Sequence, residues 1–359
     1  MIEDILKNKR VAVFVNEDKK YIIDHWKDLD KENSYLLVYN PSLSLIPEHL
    51  EEMKVLLQIY RININSFISS EKQLNNNFSI NKIKARLDYT QRLNNILYNV
   101  PMILASAGPS LSKNLEILKL LQNKFFIGCV GTALKPLLIE GIIPDMVMIT
   151  DPSEKLYEQF IDVENKILSD IPLFYFGTVA PMVIDAYPGP KIMLLQRGFD
   201  SAEELAAEMR MKLIETGGSV ATALLDWMVK LGGNPICFIG QDLAYSNNMT
   251  HHPETHNFVQ FNNEFSYDLL EVDDYFLKGK IKTSRNLFIY KKWIENYVTK
   301  HGQVTFINAT QGGAFIKGCR HISLKELIDE LPEVLDIDNK KRCFKETVKL
   351  IYKKDNFLR

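Results

Sequence analysis

The stretch Pro101–Leu111, PMILASAGPSL, has the pattern of a strand that enters a tight turn and then a helix. Gly108-Pro109-Ser110 at the mouth of that helix would leave backbone N–H groups and a hydroxyl facing whatever lies above the strand, which suits an anion. A helix cap in which Ser110 or Ser112 serves only its own helix is the alternative. The turn lacks the Lys of a P-loop and the three glycines of a dinucleotide fingerprint. Its role therefore depends on the turns that lie beside it.

The alternation of short apolar runs with amphipathic runs continues from Pro101 to about Tyr245. Runs such as FFIGCV, MVMIT and PICFIG have the length of buried strands, and runs such as SKNLEILKLLQ have helical spacing. This order predicts an α/β fold with a doubly wound, mostly parallel, Rossmann-like sheet and helices on both faces. In such a sheet the loops at the carboxyl ends of the strands form the site.

Changes of pattern along the chain predict its domains. Residues 1–70 contain apolar runs separated by polar stretches and are predicted to form a small N-terminal α/β domain. Residues 71–98 are Asn-rich with helical spacing and are interpreted as a helical connector. Residues 99–320 form the predicted Rossmann-like domain, in which the His-rich, aperiodic residues 246–270 are the predicted lid. Residues 321–359 are predicted to be C-terminal helices.

The composition is that of an ordinary globular protein and argues against some classes of partner. The 359 residues include 43 basic and 45 acidic side chains, a formal charge of -2, so no bulk positive charge indicates nucleic acid. The four cysteines are far apart and form no C-x-x-C pair, which indicates a reducing compartment. No apolar run has the roughly 18 residues of a membrane span. We therefore expect a cytoplasmic protein without a membrane span, and the sequence leaves its oligomeric state open.

Two further strand ends carry turn residues close behind the opening stretch. Gly131-Thr132 follow the run FFIGCV and open a helix, and Asp151 and Ser153 follow MVMIT. The aspartate is either a turn former or a partner for a ribose hydroxyl, and the residues alone leave both interpretations open.

Later strand ends complete the set of unusual turns. Thr216–Ser219 precede a helix rich in small residues, which allows close backbone approach by a ligand. Gly240-Gln241-Asp242 end the run PICFIG, and Gln311–Gly313 follow VTFIN and would close the pocket from the other side. Together these turns predict a nucleotide-type pocket. The predicted binding residues are Gly108, Pro109, Ser110, Gly131, Thr132, Asp151, Ser153, Thr216, Gly217, Gly218, Ser219, Gly240, Gln241, Gln311 and Gly312.

The segments AGPSL, GCVGTALKPLLIEGIIPDMVMITDPS, TGGSVATALLDWMVKLGGNPICFIGQDLAYS and INATQGGAFIKG, in this order, resemble the motility-associated factor (Maf) flagellin glycosyltransferases. The resemblance covers roughly residues 99–320, and the shared domain is named MptE-like after the archaeal hydroxymethylpterin diphosphokinase. The core is similar, more distantly, to bacterial sialyltransferases of the GT-A type that use CMP-activated sugars. Asp151 stands where those enzymes have Asn. The chain lacks most of the large helical C-terminal part of the longer Maf members. The expected acceptor is therefore either flagellin or another protein.

The resemblance implies transfer of a nonulosonic, sialic-acid-like sugar from a CMP donor to Ser or Thr hydroxyls of flagellin. The enzyme must then hold CMP, stabilise the leaving phosphate and remove a proton from the acceptor hydroxyl. The helix N-termini at Ser110 and Ser219 would face the donor's charge. Tyr245 would donate its hydroxyl to the leaving phosphate, and Asp242 is a further catalytic candidate.

Two histidines of the lid are candidates for the general base, because a histidine titrates near neutral pH. His251 follows Thr250 where the family pattern has Thr-His, and it is the first choice; His256 is the second. A solvated loop without catalytic function is the alternative. No metal site is assigned, because the core lacks the D-x-D pair that many glycosyltransferases use, and metal dependence stays open.

Two other functions are compatible with the same domain. One is pyrophosphate transfer to a 6-hydroxymethylpterin, for which Asp151 and Asp242 would hold Mg²⁺ with ATP. The other is a non-catalytic protein that binds a nucleotide sugar and assists flagellar or envelope assembly.

Overall fold

The computed structural model divides the chain into two compact units, Met1–Ser70 and Glu71–Arg359. The predicted N-terminal α/β domain lies outside the described residues, as do His256 and much of the predicted lid. The described residues are 71–85, 87–246, 249–255, 258–259, 269–331 and 336–355.

The second unit is built on an eight-stranded sheet in which every described pair of strands is parallel. Seven of its strands are buried along most of their length, because they are short, mainly apolar runs without polar alternation; the edge strand Arg320–His321 is polar and not buried. The prediction of a mostly parallel α/β sheet is confirmed. The strands of this sheet are β1 (Val100–Ala105), β2 (Phe126–Val130), β3 (Met146–Ile149), β4 (Leu173–Phe176), β5 (Lys191–Leu194), β6 (Gly233–Ile239), β9 (Phe306–Asn308) and β10 (Arg320–His321).

The strand order is β10-β9-β6-β1-β2-β3-β4-β5, which places a topological switch point between β1 and β6. From β1 the chain builds outward through β2 to β5, and it then returns to pair β6 with the other side of β1. The loops after β1 and β6 therefore leave the sheet in opposite directions, as in other doubly wound folds. A separate antiparallel hairpin consists of β7 (Leu270–Asp273) and β8 (Lys280–Thr283).

Helices fill the connections between the strands. The helix Val220–Leu231, α7, packs against β1, β2 and β6, and its Trp227 ring lies 5.4 Å from the ring of Phe174 in β4, measured between centroids. Among the helices that the described residues form, none is both long enough and apolar enough to cross a bilayer. The helices are α1 (71–84), α2 (Ser112–Leu121), α3 (Gly131–Ile139), α4 (Asn165–Leu168), α5 (Pro181–Ala186), α6 (Asp200–Met209), α7 (Val220–Leu231), α8 (Arg285–Lys300), α9 (Leu324–Glu330) and α10 (Ile337–Asp355).

Helix α1, in the segment interpreted as a connector, belongs to the same compact unit as the sheet. Its buried Asn77 donates to Thr178 O at 3.0 Å, and Asn81 donates to Gly177 O at 2.9 Å and Val179 O at 2.8 Å. These bonds satisfy the carbonyl groups of the loop after β4, which would otherwise be buried without partners. The helix therefore covers the carboxyl end of β4.

Candidate functional site

The turns after β1 and β6 are joined by hydrogen bonds at the switch point. The amide of Ser106 donates to Ile239 O at 2.9 Å, and the amide of Gly108 donates to Gly240 O at 2.8 Å. The hydroxyl of Ser106 also donates to the side-chain oxygen of Gln241. The protein's own groups therefore bridge the crevice in which doubly wound sheets bind ligands.

Asp242 is buried at the centre of this bridge, with only 3% of its surface exposed. Its Oδ2 accepts hydrogen bonds from Ser110 Oγ at 2.7 Å and Ser110 N at 3.2 Å, and its Oδ1 accepts from Ser246 Oγ at 2.9 Å. Burial raises the pKa of Asp242, although these hydrogen bonds and the nearby Lys113 oppose the rise. The SAGPSL turn, which the sequence predicts to suit an anion, thus holds a carboxyl group of the protein.

Glycines in these turns allow the turns after β1, β6 and β9 to pack closely against one another. A Cβ on Gly108 would overlap Asp242 Oδ2, and a Cβ on Gly240, whose φ is +61°, would overlap Ser106 O. A Cβ on Gly313 would overlap the Asp242 backbone, because the amide of Ala314 donates to Asp242 O at 2.7 Å. The space beside these glycines is therefore filled by atoms of the neighbouring turns.

The turn Gln311–Gly313 closes this cluster on the side of β9. Lys113 Nζ donates to Gln311 O at 2.7 Å, which ties the first turn of α2 to the turn. A Cβ on Gly312 would lie 3.2 Å from Ser110 Cβ and 3.3 Å from Lys113 Nζ. The turns after β1, β6 and β9 consequently meet around one carboxylate.

The turn Thr216–Ser219 satisfies its own backbone through two threonines. Thr222 Oγ1 accepts from Gly217 N at 2.9 Å and Ser219 N at 3.3 Å, and Thr216 Oγ1 accepts from Gly218 N at 3.2 Å. Ser219 caps α7 by accepting from Thr222 N at 3.3 Å. These amides, which the sequence suggested for donor binding, have partners within the turn.

Helix α8 covers the same turn with aromatic rings. A Cβ on Gly217 would overlap the ring of Trp293, and a Cβ on Gly218 would lie 3.4 Å from Tyr290 Cε1. Burial, followed by the negative charge of Asp151, raises the pKa of Tyr290. Asp151 therefore acts electrostatically on Tyr290, whose ring lies over Gly218.

A cleft of about 200 Å³ lies at the carboxyl ends of β2 and β3. Asp151 Oδ1 accepts from Ser153 N at 2.8 Å, and Ser153 Oγ accepts from Lys155 N at 3.2 Å, so the loop after β3 opens a short helix, Glu154–Gln159. Lys135 and Asp162 form an ion pair of 3.6 Å at the edge. The cleft is lined by Gly131, Thr132, Lys135, Asp151, Ser153, Lys155, Leu156, Glu158, Gln159, Glu254 and Thr255.

The described part of the predicted lid connects the switch point to this cleft. The amide of His252 donates to Ala107 O at 2.8 Å, and its Nδ1 accepts from Glu254 N at 3.3 Å. Glu254 and Thr255 then form one side of the cleft. Burial lowers the pKa of His252, and the negative charges of Glu254 and Glu140 partly oppose this effect.

Residues 71–248 match the family model described as 6-hydroxymethylpterin diphosphokinase MptE-like. These residues are similar to that family over just under half of the chain. The matched segment includes β1 to β6, most of the cleft and the part of the switch-point cluster that follows β1 and β6; the turn Gln311–Gly313 lies beyond it. The resemblance predicted from the motifs is confirmed, and no curated protein matches the chain.

A solved structure shares the fold of most of this chain. The MAf glycosyltransferase from Magnetospirillum magneticum AMB-1 superposes with a TM-score of 0.57 at 19% sequence identity. The superposition covers 71% of this chain and 38% of the other, so this chain spans less than half the length of that enzyme. At this identity the likeness shows the fold, and the predicted Rossmann-like α/β class is confirmed.

The predicted site residues lie in separate places in the structure. Gly131, Thr132, Asp151 and Ser153 line the cleft. The residues that the sequence missed there include Lys155 and Gln159, although the short helix that carries them directly follows the predicted Asp151 turn. The predicted residues that belong to the switch-point cluster are Gly108, Pro109, Ser110, Gly240, Gln241, Asp242, Gln311 and Gly312.

The structure describes the remaining candidate residues less completely. Tyr245 is half-buried, and its amide donates to Lys282 O at 2.9 Å, which ties it to the hairpin. His251 is half-buried in the lid, and His256 lies outside the described residues. Among the residues that the structure describes, no group of three or more His, Cys, Asp or Glu side chains is arranged to hold a metal ion.

Proposed function

We propose that this chain is a glycosyltransferase that moves a nonulosonic, sialic-acid-like sugar from a CMP donor to a Ser or Thr hydroxyl of flagellin or another protein. The observation that carries the proposal is the cleft at the ends of β2 and β3, in a fold shared with a Maf glycosyltransferase. Nucleotide sites of doubly wound folds lie at this edge of the sheet.

The chemistry of the cleft suits part of a nucleotide sugar. The hydroxyls of Thr132 and Ser153 and the carboxylate of Asp151 match ribose hydroxyls, and Lys155 supplies a positive charge for a phosphate. A volume of about 200 Å³ is below the ~300–1,000 Å³ of pockets that enclose a whole drug-sized ligand. The cleft would therefore hold the nucleoside, with the sugar extending toward the lid. CMP has a single phosphate, so a P-loop lysine is not required.

The transfer itself needs a proton acceptor and a stabilised leaving group. The acceptor oxygen forms a bond with the anomeric carbon while the bond from that carbon to the CMP phosphate breaks, and CMP leaves with the electron pair. His251, or His256 as the second choice, would take the acceptor's proton, and Tyr245 would donate to the leaving phosphate. Asp242, whose carboxylate is hydrogen-bonded by Ser110 and Ser246, would position these loops instead of contacting substrate.

Pyrophosphate transfer to a pterin is the second candidate, because the matching family model carries that description. It would require Mg²⁺ and ATP, with Asp151 and Asp242 as the carboxylate pair. Both oxygens of Asp242 already accept hydrogen bonds from serines, and the residue is 3% exposed. This burial favours the sugar-transfer proposal.

Calorimetry with CMP, CDP, UDP and ATP, each with and without Mg²⁺, tests the choice of nucleotide. We expect CMP to bind most tightly. Tight binding of Mg²⁺-ATP with no response to CMP would contradict the proposal and favour pyrophosphate transfer.

Turnover separates an enzyme from a non-catalytic binding protein. With a CMP-activated sialic acid and a flagellin acceptor, we expect CMP release that His251→Ala lowers by about 10²-fold or more, because general base catalysis typically contributes 10²–10⁴-fold. His256→Ala is the matched comparison. Binding of the donor without any release of CMP would indicate the assembly-factor role.

A further inference from the structure

The tip of the β7–β8 hairpin exposes two large apolar side chains on a turn that hydrogen bonds hold in place. Phe276 is 59% exposed and Leu277 is 60% exposed. Asp274 Oδ1 accepts from Phe276 N at 2.8 Å and from Lys278 N at 3.1 Å, and Asp274 O accepts from Leu277 N at 3.0 Å. The side chains are therefore presented on an ordered backbone, which lowers the entropy cost of binding a partner.

The backbone at Leu277 has a conformation that leucine disfavours. Its φ is +56°, in the left-handed region where Gly and Asn are the usual residues. Leu243 has a similar φ of +53°, but its side chain is only 4% exposed, so the burial of that side chain offsets the backbone cost. Leu277 gains little from burial. A leucine at this position therefore indicates a contact with another molecule.

Tyr275 fixes the tip at the carboxyl edge of the sheet. Its amide donates to Gly313 O at 2.9 Å, and its hydroxyl donates to Asn308 O, at the end of β9, at 2.7 Å. Gly313 in turn packs against the backbone of Asp242. The tip therefore lies on the same edge of the sheet as the switch-point cluster and the cleft.

The distance along this edge suits a polypeptide. The predicted lid is tied to the turn after β1 by the bond from His252 N to Ala107 O, and β6 alone separates β1 from β9 in the sheet. Two spacings of about 4.8 Å give roughly 10 Å, which an extended chain covers with about three residues. An acceptor with its hydroxyl at the lid can thus reach the tip with a side chain a few positions away.

The charge of the hairpin favours a protein segment over an anionic lipid surface. Asp273 pairs with Lys280 at 2.7 Å, and Glu271 lies opposite Lys282 in the register. The net charge is zero, because three acidic side chains accompany three basic ones; they are Glu271, Asp273, Asp274, Lys278, Lys280 and Lys282. Anionic lipids attract clusters of basic residues. A neutral hairpin with an apolar tip instead matches an apolar segment of a protein.

We infer that Phe276 and Leu277 dock an apolar side chain of the acceptor polypeptide and so hold its Ser or Thr hydroxyl near the predicted lid. This inference rests on the proposed function, in which the acceptor is a protein. The tip contributes to acceptor affinity and takes no part in binding the donor.

Turnover by the full chain with a CMP-activated sialic acid and purified flagellin monomer tests the inference. Leu277→Asn removes the apolar side chain and introduces a residue that tolerates a positive φ, so urea unfolding should show no loss of stability. We expect the KM for flagellin to rise about fivefold or more, as on loss of an interface anchor, while the KM for the donor stays the same.

Two companion variants sharpen the test. Phe276→Ser removes the neighbouring ring and should raise the KM for flagellin in the same way. Leu120→Gln is the matched control, because Leu120 is 78% exposed on α2, outside the hairpin, and its loss should change neither KM.

The outcomes separate this inference from the proposed function. A KM for flagellin that is unchanged in both hairpin variants overturns the inference and leaves the proposed function standing. Flagellin that binds the wild type in calorimetry without CMP release, and binds Leu277→Asn more weakly, supports the inference and overturns the proposed function. A wild type that neither binds flagellin nor releases CMP overturns both.

Two other occupants of the tip would give different results. Light scattering that finds a dimer of the wild type and a monomer of Leu277→Asn would assign the tip to a second copy of the chain. Sedimentation with phosphatidylglycerol vesicles that is lost in Leu277→Asn would assign it to a lipid surface. Either result overturns the inference.

Discussion

Ser110 donates two hydrogen bonds to the carboxylate of Asp242, one from its hydroxyl at 2.7 Å and one from its amide at 3.2 Å. The two residues lie at opposite sides of the switch point, one after β1 and the other after β6. Ser246, at the start of the predicted lid, donates to the other oxygen of the same carboxylate. A single buried side chain thus joins the two halves of the sheet to the root of the lid.

We expect the stability of the protein to depend on pH through Asp242. Burial raises its pKa in the folded state above the ordinary value of about 3.9, so folding favours the protonated form. This contribution to stability is present below about pH 4 and is lost as the pH rises through the raised pKa. Asp242→Asn does not titrate and should gain stability relative to the wild type over that range.

Urea unfolding of the wild type and Asp242→Asn at several values of pH between 4 and 8 measures the difference. Glu116→Gln, on the exposed side of α2, controls for the loss of one negative charge. A difference between wild type and Asp242→Asn that does not change with pH would show that Asp242 does not titrate in this range.

The sequence predicted the strands and their turns well because short apolar runs followed by Gly, Ser or Asp leave few alternatives to a parallel sheet. It also identified the SAGPSL turn as suited to an anion. It could not show that Asp242 fills this turn, because Ser110 and Asp242 are 132 positions apart and no local pattern encodes their contact. Gln159 was missed because its unpaired oxygen is evident only when Gly131 and the short helix are placed together.

Gly217→Ala should destabilise the protein by about 1–3 kcal/mol, because the new methyl group overlaps the ring of Trp293 and overpacks this contact. Gly302→Ala is the matched control, since no atom lies within 4 Å of its added Cβ and the change should stay within about 0.5 kcal/mol. Both are measured by urea unfolding. In the background of Trp293→Leu, Gly217→Ala should cost much less; an unchanged cost would rule out the ring as the cause.

Phe344→Ala in α10 should cost about 3–5 kcal/mol. Its side chain is fully buried, and its ring lies 4.9 Å from the ring of Phe126 in β2 and 6.1 Å from that of Phe174 in β4. Lys341 of the same helix pairs with the buried Asp145 at 2.8 Å. Leu350→Ala, at a side chain that is 59% exposed on α10, should change the free energy of unfolding by less than about 0.5 kcal/mol. Equal losses for both variants would show that α10 does not pack on the sheet as described.

The segment 249–255 of the predicted lid should open in acid because of His252. Burial lowers the pKa of this histidine in the folded state, so its contribution to stability is present above the ordinary value of about 6.5 and is lost as the pH falls through the lowered pKa. Glu254 and Glu140, the carboxylates that act on the ring, weaken this effect without reversing it. Hydrogen exchange of the peptide that contains residues 249–255, corrected for the intrinsic rate, should be faster at pH 5 than at pH 7. His252→Gln removes the titration and should lose that difference, whereas equal acid-dependent exchange in the variant would assign the opening to another group.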